Sequence, residues 1–197
     1  MAYPVTYDVD RPEQYNRLTV LFRIILVIPQ AILVGGTGIF AGASVSQAVR
    51  DNVGLQFSLS ILNGGILSAV AGILIFISWF AILITARYPE AFRSFVAMVF
   101  RWTMNVHAYL ALQTNPYPPF SGTAPYDLRV SVTSPERHNR LTVLFRLFLL
   151  IPHAIILAFL QVAQFVVTVI AWFAILFTGQ YPASMYSFSV GVSRWYA

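Results

Sequence analysis

The sequence predicts an all-α integral membrane protein with four transmembrane helices in two parallel tandem repeats. Each repeat is opened by a short β-strand and closed by a cytoplasmic interfacial amphipathic helix. Three observations predict it. The first is composition: of 197 residues, 58% are hydrophobic and 10% charged, against roughly 45–50% and about 25% in soluble domains. A soluble globule this poor in charge would expose apolar surface and aggregate, and disorder needs the opposite balance. The second is an internal repeat, and the third is a set of apolar runs near the length of about 20 residues that a bilayer crossing needs.

The repeat is explicit in the letters. Shifted by 123, residues 3–34 fall on 126–157 with 17 identities in 32 positions. Asn16-Arg17-Leu18-Thr19-Val20-Leu21-Phe22-Arg23 recurs unchanged as Asn139 through Arg146. Shifted by 93, residues 77–104 fall on 170–197 with 14 identities in 28 positions. The offsets differ by 123 − 93 = 30, so the first repeat carries about 30 extra residues, within a Gly- and Ser-rich insert at 35–65.

Repeat one is assigned to residues 1–113. Val5, Tyr7 and Val9 alternate with polar neighbours, which reads as a half-buried strand over 3–10. Transmembrane segments follow at 18–34 and 66–85, on either side of the insert, and an amphipathic helix at 90–112. On that helix Glu90, Arg93, Ser94, Ala97, Arg101, Asn105 and Ala108 share one narrow polar or small face, opposite Phe92, Phe95, Val99, Trp102, Val106 and Tyr109. Such a helix is expected to lie in the interface plane. Residues 114–125, with Tyr117-Pro118-Pro119-Phe120, read as an extended linker. Repeat two is assigned to 126–197, with a strand at 127–133, crossings at 141–160 and 162–178, and an interfacial helix at 183–197. The run Leu141–Thr178 is too long for one crossing, so a hairpin turn is expected near Gln161–Gln164. Its last helix is expected to continue past Ala197, as its first copy runs on to Leu112. Small residues at four-residue spacing, Gly65 with Ala69 and Ser68 with Gly72, favour helix packing.

All 12 basic residues are arginine, and 11 of them flank apolar segments on one side of this topology, all but Arg50. The positive-inside rule places that side, with both termini, in the cytoplasm. Nucleic-acid binding is excluded, because it needs a basic patch on a soluble face. No basic segment precedes an apolar one at the N-terminus, so no cleavable signal is expected. Without cysteine there is no thiol nucleophile and no cysteine metal site.

The string Pro-Glu, Asn-Arg-Leu-Thr-Val-Leu-Phe-Arg, Ile-Pro-x-Ala, Trp-Phe-Ala-Ile-Leu, Tyr-Pro and Arg-Trp, with Tyr-Pro-Pro-Phe after the first copy, resembles a bacterial membrane family known as a domain of unknown function. Some of its members carry a lipase label. The resemblance covers nearly the whole chain, twice over, and implies architecture, not an activity. A lipase would need a Gly-x-Ser-x-Gly elbow. The nearest string here, Gly42-Ala43-Ser44-Val45-Ser46, lacks the second glycine.

No catalytic residue and no metal ligand set is therefore assigned. His107, His138 and His153 show no i, i+3 or i+4 pairing, and Gln30 replaces His153 in the first copy. Pro29 with Gln30 and Pro152 with His153 are the polar break points of the first helices. There the polar side chain can bond a carbonyl freed by the kink. Arg23 and Arg146 lie about two turns inside their helices, where a charge must pair or snorkel. With Arg17, Arg140, Arg93 and Arg101 they are candidate lipid-headgroup contacts. Arg23 and Arg146 either hold a phosphate or acid, with Glu13 and Glu136 as candidate partners, or simply reach the interface.

The expected function is that of a non-enzymatic, lipid-contacting structural or accessory subunit of a larger complex in the bacterial inner membrane. Its partners would be membrane lipids and other subunits or copies of itself, with no cofactor beyond bound phospholipid. The alternative is a small transporter, channel or lipid-handling protein built on the repeat. No acid at membrane depth argues against a proton- or cation-coupled carrier.

Overall fold

A computed structural model describes residues 5–35, 65–85, 89–132 and 140–196, with the backbone alone at Leu83, Val132, 140–151 and Ala154. The described elements are β1 (Val5–Val9), α1 (Arg17–Leu26), α2 (Ile28–Val34), α3 (Gly65–Thr85), α4 (Glu90–Leu110), β2 (Leu128–Val132), α5 (Arg140–Thr178) and α6 (Ala183–Tyr196).

β1 and β2 pair antiparallel, Val5 against Val132 and Val9 against Leu128. The central pair, Tyr7 and Val130, are positions 123 apart. Asn16 then caps α1, its side chain accepting from the Leu18 and Thr19 amides at 3.1 and 3.4 Å. An asparagine there serves amide donors that the first turn leaves without partners. Pro29 stands in the first turn of α2, where its missing N–H costs least, and α1 and α2 meet at a 43° bend.

α2 and α3 are joined in space as well as through the insert. Gly35, with φ 93°, donates its amide to Ala31 O at 2.9 Å, ending α2. A Cβ on Gly65, the first residue of α3, would lie 2.3 Å from the Gly35 nitrogen and 2.8 Å from the Leu33 carbonyl carbon. Ser68 donates its hydroxyl to Val34 O at 2.7 Å. With the 30 extra residues subtracted, Ser68 is four positions after Val34. That contact is the one a serine makes one turn back along an uninterrupted helix. Residues 36–64, the body of the insert, lie outside the described residues.

In the second repeat the corresponding stretch is one helix. α5 runs 39 residues from Arg140 to Thr178 with Pro152 inside it, about 58 Å at 1.5 Å per residue. The hairpin turn expected near Gln161–Gln164 is not there. Gln161-Val162-Ala163-Gln164 contains no glycine, proline or asparagine to break a helix. Nor does Gln164 need a turn to reach polar partners: its amide donates to Ser189 Oγ at 2.7 Å and Thr168 Oγ1 at 3.2 Å.

The crossing count changes accordingly. Among the described residues two helices are long and apolar enough to cross a membrane, with spans Gly65–Ile82 and Ile155–Thr178, or three if the bent pair α1–α2 counts as one. Large apolar side chains on these helices face outward, Phe159 at 75% and Phe177 at 79% exposure.

The two helices read as interfacial pack against the other elements. α4 brings Trp102 to Gln30 and Tyr109 to Arg23, and its residues from Met104 to Leu110 are all buried. The C-terminal part of the face read as polar is a packing face: Asn105 is buried, and Ala108 shares a core with Val20, Ala171 and Ile175. Small residues at helical spacing look like a weak polar face in a sequence, yet they let backbones approach closely. α6 repeats this with Ser189 and Ser193, both buried against neighbours. A second core gathers Val27, Val34, Trp102, Val106 and Tyr109 under the bend.

Candidate functional site

α4 ends in a hydrogen-bonded turn that collects side chains from most other elements. The Gln113 amide reaches back to Ala108 O at 2.9 Å and the Leu112 amide to Tyr109 O at 3.2 Å. This is the pairing of a Schellman cap, whose left-handed position is normally glycine. Here it is Leu112, at φ 62°, a conformation costing a non-glycine residue roughly 1–2 kcal/mol. Complete burial of the Leu112 side chain in the first core holds it there.

The turn offers four carbonyls, and each meets a side chain. Arg23 donates Nη1 to Tyr109 O at 2.6 Å and Thr114 O at 3.1 Å. Tyr15 donates to Leu112 O at 2.8 Å, and Tyr186 to Gln113 O at 3.4 Å. The Gln113 amide accepts from the Tyr7 hydroxyl and donates to Ser189 Oγ at 2.7 Å and Ser193 Oγ at 2.8 Å. Ser189 also receives Gln164, so one buried chain of amides and hydroxyls joins β1, the α4 turn, α6 and α5. Burial pushes the Tyr7 and Tyr15 phenols above their ordinary range, so they act as donors throughout the physiological range.

Arg23 is the one formal charge at this turn. It is 2% exposed, and its guanidinium carbon lies 4.1 Å from the centre of the Tyr109 ring. Tyr109 O belongs to the last turn of α4, so the cation sits at the negative end of a helix dipole and on a ring face. Among the described residues no carboxylate pairs with it, and its Nε and Nη2 have no hydrogen-bond partner. Nε and Nη2 form one edge of the guanidinium, the edge that takes a carboxylate or phosphate with two parallel bonds.

Beside Arg23, between α1 and α5, is a cavity of about 240 Å³. Arg23, Ile24, Leu112, Phe165, Thr168 and Trp172 form much of its wall, which is apolar apart from the arginine and the threonine. Trp172 is fixed across it by donating to Val20 O at 3.0 Å.

The other sequence-predicted residues are scattered. Arg17 is exposed, its guanidinium against Gly179 at the end of α5. Arg93 pairs with Glu90 at 3.7 Å on an exposed face. Arg101 has a buried Nε without a partner. Glu13 is exposed and away from Arg23. Arg140 and Arg146 lie on α5, their side chains outside the described residues, and Glu136 and His138 fall outside them altogether. Among the described side chains, Arg23 is the arginine that is buried.

Gln30 also differs from expectation. Instead of bonding a carbonyl of its own helix, its buried amide donates to Pro118 O at 2.8 Å and accepts from Trp102 Nε1 at 2.7 Å. The carbonyl at the bend, Leu26 O, is taken by the Tyr117 hydroxyl at 3.0 Å. The Tyr-Pro-Pro-Phe segment is thus a clasp on the bend rather than a free linker. His153, the counterpart of Gln30, packs its ring 5.1 Å from Trp195, the counterpart of Trp102. His107 is fully buried with no partner on either nitrogen, and desolvation lowers its pKa to about 4.

Sequence reasoning missed Tyr109, Leu112, Gln113 and Thr114, which together make the turn. The available signal was two polar residues, Gln113-Thr114, directly after an apolar helix end.

The family described as a domain of unknown function (DUF4389) matches residues 50–122 and 140–197. The chain belongs to this family. The two matched segments of the DUF4389 chain fall one in each repeat read from the sequence, and the first contains the whole of α4 and its turn. No curated protein and no solved structure matches the chain.

Proposed function

We propose that this protein is a non-enzymatic, multi-pass protein of the bacterial cytoplasmic membrane that holds anionic lipid at Arg23. In this reading it serves as a lipid-contacting subunit of a larger membrane assembly. One observation carries the reading: a buried cation whose two-donor edge is unpaired and which, among the described residues, has no carboxylate beside it. A charge in apolar surroundings costs several kcal/mol unless it is compensated. The carbonyls of Tyr109 and Thr114 compensate only one nitrogen, which leaves an anion as the natural complement of the other two.

The architecture supporting this reading is a two-fold repeat. The strand register is symmetric about equivalent residues, Tyr7 and Val130. The stack of α1, α2 and α3 matches α5 position for position once the insert is set aside. The Tyr15 amide bonds Gly179 O at 3.2 Å, so the start of α1 lies beside the end of α5, which supports both chain ends lying on one side.

A second reading, a lipid-handling or transport protein, draws on the cavity beside Arg23. Purification in mild detergent separates the two, because comigrating subunits support the first and a lone oligomer with flux in liposomes supports the second. For the lipid itself, Arg23→Gln combined with Arg146→Gln is expected to strip copurifying anionic lipid while leaving insertion intact. Unchanged lipid content in the double variant would overturn the reading.

A further inference from the structure

We infer that the cavity between α1 and α5 holds one acyl chain of an anionic membrane lipid, an oxygen of whose head region binds the free Nε–Nη2 edge of Arg23. The inference rests on the lipid-binding reading above and adds where the lipid lies and which part of it is enclosed.

Four features select this occupant. The wall is apolar except for Arg23 and Thr168, and Thr168 lies within hydrogen-bond reach of Gln164. A ligand with a charge at one end and a hydrocarbon body matches that distribution. A soluble anion such as free phosphate would waste the apolar wall. The sign is fixed by Arg23, whose edge donors are unpartnered at 2% exposure. The cavity is flanked by Ile24, Phe165 and Phe173, which are 56%, 42% and 51% exposed on the outer surface of α1 and α5. α5 carries one of the spans long and apolar enough to cross a membrane, so the surroundings there are acyl chains. Lastly, about 240 Å³ falls below the roughly 300–1,000 Å³ that encloses a whole drug-sized ligand. It accommodates one arm of an amphiphile whose remainder stays in the bilayer.

Trp172 in the wall is a built-in reporter, because bromine on an acyl chain quenches indole fluorescence at contact. The protein is reconstituted into vesicles of phosphatidylglycerol or phosphatidylcholine with brominated chains. The Trp172 signal is taken as the difference from Trp172→Phe. Two variants accompany it: Val169→Phe, which narrows the cavity without touching Arg23, and Arg23→Gln. Deeper Trp172 quenching by the anionic lipid is expected. Val169→Phe should lose that preference, and Arg23→Gln should weaken it about tenfold, as for one charge-assisted bidentate pair. Equal quenching by the two lipids in the unaltered protein overturns the inference. Preference retained in Val169→Phe also overturns it, while leaving lipid binding at Arg23 standing. If no anionic lipid copurifies with the unaltered protein, the underlying reading fails first. Should Arg23→Gln not fold, Val169→Phe and the lipid comparison decide alone.

Discussion

Residues 35–64 can be excised and Val34 joined to Gly65, and the effect of Gly65→Ala should then change sign. In the complete chain Gly65 has φ +75°, and a Cβ there would meet the Gly35 nitrogen at 2.3 Å and Leu33 at 2.8 Å. An alanine pays roughly 1–2 kcal/mol for that backbone conformation. It pays about 1–3 kcal/mol more for atoms that belong to backbone and cannot swing away. In the excised chain Gly35 is gone and Gly65 becomes an interior helix residue. Its amide takes over Ala31 O, which Gly35 now holds at 2.9 Å. There alanine gains about 0.5–1 kcal/mol over glycine. Unfolding of all four proteins in mixed micelles of mild detergent and dodecyl sulphate, followed by far-ultraviolet circular dichroism, gives the comparison. The excised chain is expected to fold at least as stably as the complete one, with Gly65→Ala destabilising the complete chain and stabilising the excised one. The same sign in both, or an excised chain that loses its helical signal, would refute the view that α2 and α3 are one helix interrupted.

Two further outcomes follow from single side chains. Trp102→Phe removes the donor to Gln30 Oε1, which is fully buried, and should cost about 1–3 kcal/mol. In a Gln30→Leu background the same change should cost at least about 1 kcal/mol less, and additive costs in the double-mutant cycle would show that the bond carries nothing. His107 is held neutral by burial, with its pKa lowered from 6.5 to about 4. The unfolded chain therefore binds the proton first, and stability falls as pH drops below about 6.5. The loss should reach about 2 kcal/mol between pH 7 and pH 5. His107→Phe, which keeps the ring stacked on Tyr196, should flatten that slope in the same unfolding assay. An unchanged slope would place the acid sensitivity elsewhere.

The helical class and the two-stranded sheet were legible because their signals are local. Period-2 alternation located β1 and β2, and Pro29 marked the break in the first helix. What the letters could not show was non-local. Whether a 38-residue apolar run folds as a hairpin or stays one helix depends on what its polar residues meet. Gln164 meets Ser189, 25 positions away. Part of the α4 face was misread for a related reason: alanine and asparagine suit water, but they also suit close packing and buried hydrogen bonds. Arg23 was singled out on its depth in the helix, and its partners are backbone carbonyls 86 and 91 positions away. Carbonyls carry no sequence signature.

Those carbonyls also connect two features that stand oddly together in the sequence, a charged residue inside an apolar helix and the lack of any acid at that depth. A carboxylate partner would bring a second ion out of water, at several kcal/mol, to offset the first. The end of α4 offers an alternative that needs no further ion, because its last carbonyls lack intrahelical donors and carry the negative end of the dipole. Leu112, strained at φ 62°, turns the chain so that Tyr109 O and Thr114 O converge on one nitrogen of Arg23. Hydrogen bonding is thereby met at Nη1, while the unit charge stays uncancelled and the opposite edge, buried, stays without a partner among the described residues. An acid in place of the turn would have cancelled the charge and closed the edge. The arrangement holds a cation in apolar surroundings without a second ion, and it is on this uncancelled charge that the proposed lipid contact at Arg23 rests.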